Sequence, residues 1–417
     1  MSNKESVSPL YRNFVLVMLT LVYVFNFIDR QLLVILQESI KKDLQLSDTQ
    51  LGLLSGFTFA IFYVTMGIPI ARLADKRNRR NIVAMSLALW SLMTALSGLA
   101  RNFVQLLLAR IGVGVGEAGG SPPAHAMISD YFRPEKRATA LAVYSTGIYI
   151  GMMFGFVMGG YLNESVGWRT AFYLIGIPGV LFSILFYFVV GEPQRGATDV
   201  SAPAQEGHSF VDVLRLLFSK KIFIFLSFAS GLHAFCIYGV ANWAPSFLVR
   251  LHGLSYGEVG VSLGLMFGIG GALGTFAGGF LTDRFGKNDP RWYLRIPAFA
   301  IILSLPFLIS ALFTSDALTS QICFGVCSSL NSMYLGPSIS VAHKLVPASM
   351  RALTSAIFFL ILNIIGLGFG PLTVGILSDV LTPSFGIESL RWAMSGMVIV
   401  STTAILLFFG ASRKMGV

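Results

Sequence analysis

The sequence predicts an all-α integral membrane protein of twelve transmembrane helices, arranged as two pseudo-symmetric six-helix bundles. Three observations predict it: an apolar composition, about twelve apolar blocks of some 20 residues, and basic residues concentrated in every second loop. Of the 417 residues, 54% are hydrophobic and 12% are charged, whereas soluble domains carry roughly 25% charged residues. A helix of about 20 residues spans the hydrocarbon core of a bilayer.

The apolar blocks define the predicted spans. We place them at residues 12–37, 48–74, 80–99, 103–130, 137–162, 169–190, 219–249, 255–281, 292–313, 318–343, 351–378 and 390–411. Each is predicted to be a helix, because an open strand edge cannot be satisfied in lipid and the alternating pattern of a barrel is absent. No small-residue cleavage site follows the first block, so we expect no cleaved signal peptide.

The basic loops predict the orientation. Lys and Arg gather at 76–80, 133–137 and 284–295 but are sparse in the alternate loops, and bases near span ends are retained on the cytoplasmic side. We therefore expect both termini in the cytoplasm and, from the short loops, a bacterial inner membrane. The net charge of +10 reflects this topology, so we expect no nucleic-acid partner and a monomer surrounded by the lipid bilayer.

The chain divides in its middle. Residues 191–218 contain prolines and mixed charges and end in a short amphipathic segment from 210 to 218. We predict an N-terminal bundle at 1–190, a cytoplasmic linker at 191–218 and a C-terminal bundle at 219–417. Asp75 and Asp283 occupy equivalent places after spans two and eight. Two parallel six-helix halves are a known transporter plan, with the substrate site between them at the midplane.

Two sets of motifs carry a resemblance. The loop motif comprises Gly67, Asp75, Lys76, Arg77, Arg79 and Arg80, with a weaker repeat at Asp283 and Arg284. Together with the stretch from Arg110 to Glu117, it resembles the signature motifs of the major facilitator superfamily. More narrowly, Asp29-Arg30 with its preceding residues and the run from Arg110 to Pro123 are similar to the spinster branch, whose animal members export sphingosine phosphate and lysophospholipids.

The resemblance implies the major facilitator fold, transport by alternating access, and a loop motif that latches the cytoplasmic side. Asn78 stands where the family usually has Gly. An alternative for the loop is that its bases only obey the topology rule. Exposed ion pairs are individually weak, so a latch must be a network.

Four charges in spans one and four are candidates to come together: Asp29, Arg30, Arg110 and Glu117. Asp29 and Arg30 lie near the end of the first apolar stretch, where a charge costs about 2.5 to 3.5 kcal/mol on insertion scales. Span one runs outward and span four runs inward, which brings Asp29 beside Arg110; Glu117 lies two helical turns from Arg110 on the same face. We expect the four to cluster, with Glu117 and Asp29 carrying the coupling proton and Arg110 and Arg30 tuning them. The alternative is a neutral ion pair that braces helix one.

Further polar side chains within spans are candidates to line a substrate cavity. They are Tyr144, Tyr149, His233, Tyr238, Asn242, Trp243, Asn331, Tyr334 and Asn363. Interhelical hydrogen bonds use the same residue types, so each is a candidate only. The three cysteines lie within spans and predict neither a disulfide frame nor a zinc site, and we expect no metal and no cofactor.

The predicted function is proton-coupled export of an amphipathic or lipid-like molecule, such as a lysolipid, a sphingolipid-like molecule or a lipophilic drug. An uncoupled or proton-symporting carrier of another small organic solute remains open. A membrane enzyme acting on lipids is a remote alternative, because the sequence has no His-rich box, paired catalytic His and Asp motif, or nucleotide loop.

Overall fold

The structure is a computed structural model that describes residues 8–196 and 210–416. All regular structure in these ranges is helical. In the first half, α1 is Pro9–Leu44, α2 is Asp48–Lys76, α3 is Arg79–Ser97 and α4 is Phe103–Glu117 continued by Ser121–Tyr131, while the stretch Pro134–Val189 holds α5 and α6. In the second half, α7 is Lys221–His252, α8 is Tyr256–Gly286, α9 is Trp292–Phe313, α10 is Ala317–Asn331 with Leu335–Lys344, α11 is Arg351–Leu362 with Phe369–Phe385, and α12 is Ser389–Ser395 with Met397–Arg413.

Seven helical stretches in the described ranges are long and apolar enough to cross a membrane. Two of them each contain two helices. The stretch Pro134–Val189 divides into α5 and α6 at Gly167, whose φ of 80° lies in a region that favours glycine. The stretch Leu353–Arg413 divides into α11 and α12 at Gly386. With α3, α4 and α10, the fold has the twelve helices that the sequence predicts.

Several helices extend beyond the predicted spans. α1 starts at Pro9, where the Ser8 hydroxyl accepts a hydrogen bond from the Tyr11 amide, and it runs on to Leu44, two turns past the predicted end. α11 likewise continues to Phe385. The apolar blocks mark the part of a helix that suits lipid, whereas backbone hydrogen bonding continues until a cap ends it. Linker residues 197–209 lie outside the described ranges, and the connecting helix is Phe210–Ser219.

The two halves share a local signature that supports the internal repeat. Ser47 and Gln50 form a reciprocal capping box at the start of α2. Ser255 and Glu258 form the same box at the start of α8. The separation between the two serines equals that between Asp75 and Asp283, so the equivalent helices begin and end in register.

The start of α1 and the end of α12 define the two sides of the bundle. The Tyr11 hydroxyl donates to the Val189 carbonyl, and the Lys414 ammonium lies over the Phe225 ring, 5.2 Å from its centroid. Because the twelve helices alternate in direction, Tyr11 near the start of α1, Lys414 just after α12 and the basic loops share one side, which we call the terminal side. The opposite side, with residues 44–48 and 252–256, is the distal side.

The buried apolar residues form three clusters, and their positions show where the halves touch. One cluster lies towards the distal side and includes residues of both halves, such as Leu36 and Phe247. The other two lie towards the terminal side; one belongs to the first half apart from Leu367, and the other belongs to the second half. The halves are thus packed together distally and separate towards the terminal side.

The distal contact between the halves depends on helix backbones that approach each other closely. A Cβ on Gly52 of α2 would lie 2.6 Å from the Pro371 carbonyl oxygen of α11. A Cβ on Gly160 of α5 would lie 2.2 Å from the Tyr256 carbonyl oxygen of α8. Only glycine fits at these positions, since real Cβ atoms do not approach backbone so closely.

Candidate functional site

A cavity of about 1090 Å³ separates the halves. Both halves line it, with α1, α2, α4 and α5 facing α7, α8, α10 and α11. It reaches Arg72 and Asp75, which are exposed near the end of α2, and Leu353 near the start of α11. The cavity therefore opens on the terminal side and ends below the distal contact.

Asp29 is held at the junction of three helices. One carboxylate oxygen accepts a hydrogen bond from Arg110 Nη1 of α4 at 3.2 Å, and the other accepts a short one from the Thr94 hydroxyl of α3. Asp29 and Arg110 are each 2% exposed. The carboxylate faces away from the cavity, while part of Arg110 reaches the cavity wall.

Arg30 points in another direction from Asp29. Its Nε donates to Glu117 Oε2 at 2.7 Å. Its guanidinium carbon lies 4.7 to 5.2 Å from the ring centroids of Phe27, Phe59 and Tyr63, close enough for cation–π attraction to each ring. Arg30 lines the cavity and covers Glu117, whose side chain is fully buried.

The four charges of the predicted cluster therefore form two ion pairs between α1 and α4, Asp29 with Arg110 and Arg30 with Glu117. Asp29 and Arg30 are adjacent in α1 but pair with different residues of α4. One buried atom remains without a described hydrogen-bond partner on each α4 residue, Glu117 Oε1 and Arg110 Nε. Arg30 is thus the described ion-pair partner of Glu117, and a buried charge left without its partner is costly.

Six of the nine polar candidates line the cavity. They are Tyr149, Tyr238, Asn242, Asn331, Tyr334 and Asn363. Asn363 begins a π-helical segment of α11, Asn363–Gly368, and such segments often occur at functional sites. The Asn242 amide oxygen has no described hydrogen-bond partner, so it is free to accept from a ligand.

The other three, Tyr144, His233 and Trp243, do not line the cavity. Tyr144 is buried and stacks on Tyr23, with ring centroids 4.5 Å apart. His233 Nε2 lies 3.1 Å from the Asn331 carbonyl oxygen, and Trp243 Nε1 donates to the Pro371 carbonyl oxygen at 2.9 Å. Helical position alone did not distinguish them, because each is held by a contact on a neighbouring helix, a stacked ring for Tyr144 and a carbonyl oxygen for His233 and Trp243.

Arg79 of the loop motif lies inside the first half. It is 4% exposed, and its guanidinium donates to Asp130 at 2.5 Å and to Glu192 at 2.8 Å. Arg80 donates through its backbone amide to Glu192 Oε2 at 2.8 Å. These two bases tie α3 to the ends of α4 and α6, so in this structure they do not bridge the halves as a latch would.

The remaining motif residues lie at the open mouth. Asp75, Lys76, Arg77, Asp283 and Arg284 are exposed and form no ion pair among the described residues. A Cβ on Gly67 would meet no atom within 4 Å, in contrast to the distal glycines. These exposed motif residues therefore form no ion pair between the halves in the described ranges, whereas Arg79 and Arg80 are engaged within the first half.

A polar network that the sequence did not predict closes the distal side. Arg250 of α7 donates to both oxygens of Asp48, each at 2.6 Å, and its Nε donates to Glu38 at 2.7 Å. Lys41 reaches Asp48 at 2.5 Å. Asp379 of α11 accepts from the backbone amides of Asp48 and Thr49 at the N-terminus of α2, where a negative charge is favoured.

Four helices from both halves meet in this distal network. A signal was present in the sequence, since Arg250 is one of the few bases in the loops that topology predicts to be poor in them. The charge bias of those loops predicts orientation only, so it gave no role to Asp48 or Glu38.

Comparison with known proteins gives concordant matches. The sequence profile described as Major Facilitator Superfamily matches residues 19–371. The chain is 37% identical to an MFS-type efflux pump of Mycolicibacterium smegmatis, covering 90% of this chain and 86% of that protein. It is 28% identical to Protein spinster homolog 1 of Xenopus tropicalis, covering 92% and 78%. A Hexuronate transporter of Bacillus subtilis is 31% identical, covering 66% of each chain.

A solved structure also matches over nearly the whole length. The crystal structure of a bacterial homolog of the human lysosomal transporter Spinster, in an inward-facing and unoccupied conformation, superimposes with a TM-score of 0.90. The identity is 32%, and 98% of each chain is covered.

Proposed function

Because the chain belongs to the Major Facilitator Superfamily, a family of transporters rather than enzymes, we propose that it exports an amphipathic or lipid-like molecule in exchange for protons. In this proposal the protein lies in a bacterial inner membrane, with both termini and the terminal side in the cytoplasm. The cavity then faces inward, as in the spinster homolog solved in an inward-facing conformation.

The observation that carries proton coupling is the pair of buried acids held by arginines at the cavity wall. Protonation of Glu117 removes the charge that holds Arg30, and protonation of Asp29 does the same for Arg110. Each protonation therefore weakens the contact between α1 and α4 beside the cavity. A proton can therefore alter the packing of the helices that line the site, which is what coupling requires.

The cavity lining supports an amphipathic substrate. Aromatic and aliphatic side chains cover most of the wall, and Arg30 and Arg110 place positive charge at its inner end. An apolar body would contact Phe27, Phe59 and Phe359, while a polar end would reach Arg30 or the Asn242 amide. Lysolipids, sphingolipid-like molecules and lipophilic drugs all meet this description.

In alternating access, the distal side would open when the terminal side closes. The distal network of Arg250, Asp48 and Glu38 has to separate when the protein faces outward. On the terminal side, Asp75 and the bases of the loop motif would then engage the second half. The exposed Asp75 at the open mouth and the closed distal network both suit the inward-facing end of such a cycle.

The test is transport in proteoliposomes with and without a pH gradient. Glu117→Gln keeps a hydrogen-bonding side chain beside Arg30 but cannot release a proton, so pH-driven transport of a lysolipid or drug should vanish while binding persists. Glu135→Gln, an exposed acid on the terminal side, is the matched control. Full pH-driven transport in E117Q would show that this acid does not carry the coupling proton.

A second candidate is proton symport of an organic anion. The charges at the inner end of the cavity are cationic, and the hexuronate transporter of Bacillus subtilis is among the relatives. Uptake of a radiolabelled sugar acid driven by an inward proton gradient would favour this function, and efflux of an amphiphile under the same gradient would favour export.

A further inference from the structure

A second crevice lies far from the transport cavity, at the terminal end of the second half. Its volume is about 680 Å³. Seven residues from the start of α7 and the end of α12 line it: Lys220, Lys221, Ile222, Phe225, Gly410, Arg413 and Lys414. More than half of the lining residues are basic and none is acidic.

The apolar floor of the crevice is well packed. The Phe225 ring lies against Gly410, where an added Cβ would be 3.0 Å from two ring atoms. The Lys414 ammonium lies 5.2 Å from the centroid of the same ring. The ring therefore joins α7 to α12 and leaves an apolar wall directly beneath a cation.

The positive charge of the crevice is uncompensated. None of its four basic side chains forms an ion pair within the ranges that the structure describes. Lys220 donates to the Leu345 carbonyl oxygen at 2.5 Å, which fixes it in place. No described side chain caps the N-terminus of α7, whose dipole adds partial positive charge.

The topology rule alone does not account for this arrangement. That rule asks only for bases somewhere on the cytoplasmic side, whereas these four come from two distant parts of the chain and converge on one crevice. Like charges brought together repel unless an anion lies between them. The crevice lies at the ends of α7 and α12 with apolar surface on one side, and basic pockets at the cytoplasmic ends of membrane helices are suited to lipid head groups.

We propose that this crevice binds the head group of an anionic phospholipid from the surrounding leaflet. The phosphate contacts Lys221, Arg413 and Lys414, and an acyl chain runs along Ile222 and Phe225. The bound lipid ties α7 to α12 and, through Lys220, to the segment that follows α10. This site is independent of the transport cavity and of the substrate.

The test compares lipid binding by the full-length protein in neutral detergent. Phosphatidylglycerol and phosphatidylcholine of equal chain length are titrated, and bound lipid is measured by native mass spectrometry and by the shift in thermal unfolding. The triple variant K221Q/R413Q/K414Q should weaken phosphatidylglycerol binding by roughly fivefold for each base removed and leave phosphatidylcholine binding unchanged.

The control R133Q/K136Q/K287Q removes the same charge from exposed bases elsewhere on the terminal side. Equal losses in the two triple variants would overturn the proposal, because the attraction would then be diffuse. If millimolar inorganic phosphate raised the unfolding temperature as much as phosphatidylglycerol does, the ligand would be free phosphate and not a lipid. If the triple variant does not fold, K414Q alone should weaken phosphatidylglycerol binding by about fivefold. Unchanged affinity of K414Q for phosphatidylglycerol would contradict the proposed site.

Discussion

Arg250 and Asp48 form a two-pronged ion pair across the two halves, with both terminal nitrogens of the guanidinium 2.6 Å from the carboxylate oxygens. Both side chains are largely buried. The contact joins α7 to α2 on the side opposite the cavity mouth, so it has to break before the distal side can open.

Arg250→Gln should therefore weaken the distal closure. It leaves Asp48 and Glu38 close together without their shared cation, and loss of one partner of a buried ion pair costs about 3 to 5 kcal/mol. Lys41 still reaches Asp48, so we expect the lower end of that range. Thermal unfolding in detergent measures the loss.

The same variant should increase labelling of a cysteine at Ser246, a buried distal position, in a background lacking the three native cysteines. Arg391→Gln is the control, because Arg391 pairs with Glu388 on the same side but within one half. Unchanged labelling at position 246 in R250Q would rule out a closing role for the pair.

Asp29→Asn separates charge from hydrogen bonding. The amide still accepts from Thr94, but Arg110 remains as a buried cation without its counter-charge. We expect a loss of about 3 to 5 kcal/mol in stability together with a loss of pH-driven transport. The double variant D29N/R110M should recover stability and not coupling; recovery of both would mean that the pair is only a structural brace.

Gly52→Ala tests the close contact of α2 with α11. The added methyl group would lie 2.6 Å from the Pro371 carbonyl oxygen, and overpacking of this kind costs about 1 to 3 kcal/mol. Gly279→Ala, where no atom lies within 4 Å, should leave the thermal unfolding temperature unchanged or raise it slightly, because Ala favours a helix more than Gly does. Equal unfolding temperatures for the two variants would mean that the helices separate freely at this point.

Asp75→Asn addresses the loop motif. If Asp75 engages the second half when the cavity closes, its neutralisation should favour the inward-facing state. Labelling of a cysteine at Leu353, at the cavity mouth, should then rise relative to the parent protein and to Asp212→Asn on the connecting helix. A rate equal to that of D212N would leave the motif with a topological role alone.

The sequence by itself determined the twelve helices, the membrane setting, the family and the internal repeat. These properties are local: hydropathy over some 20 residues predicts a span, and a motif is read within a single loop. The same reasoning brought Asp29, Arg30, Arg110 and Glu117 to one region, because helix spacing places Arg110 and Glu117 on one face.

Only the tertiary structure decided which side chains meet. Helical periodicity gives the face of a residue but not the helix opposite it, so it could not show that Asp29 and Arg30 take separate partners. Trp243 and Tyr144 lie on plausible faces, yet each is buried against a neighbouring helix. The ion pair between Arg250 and Asp48 joins residues 202 positions apart, and it exists only because the two halves close on the distal side.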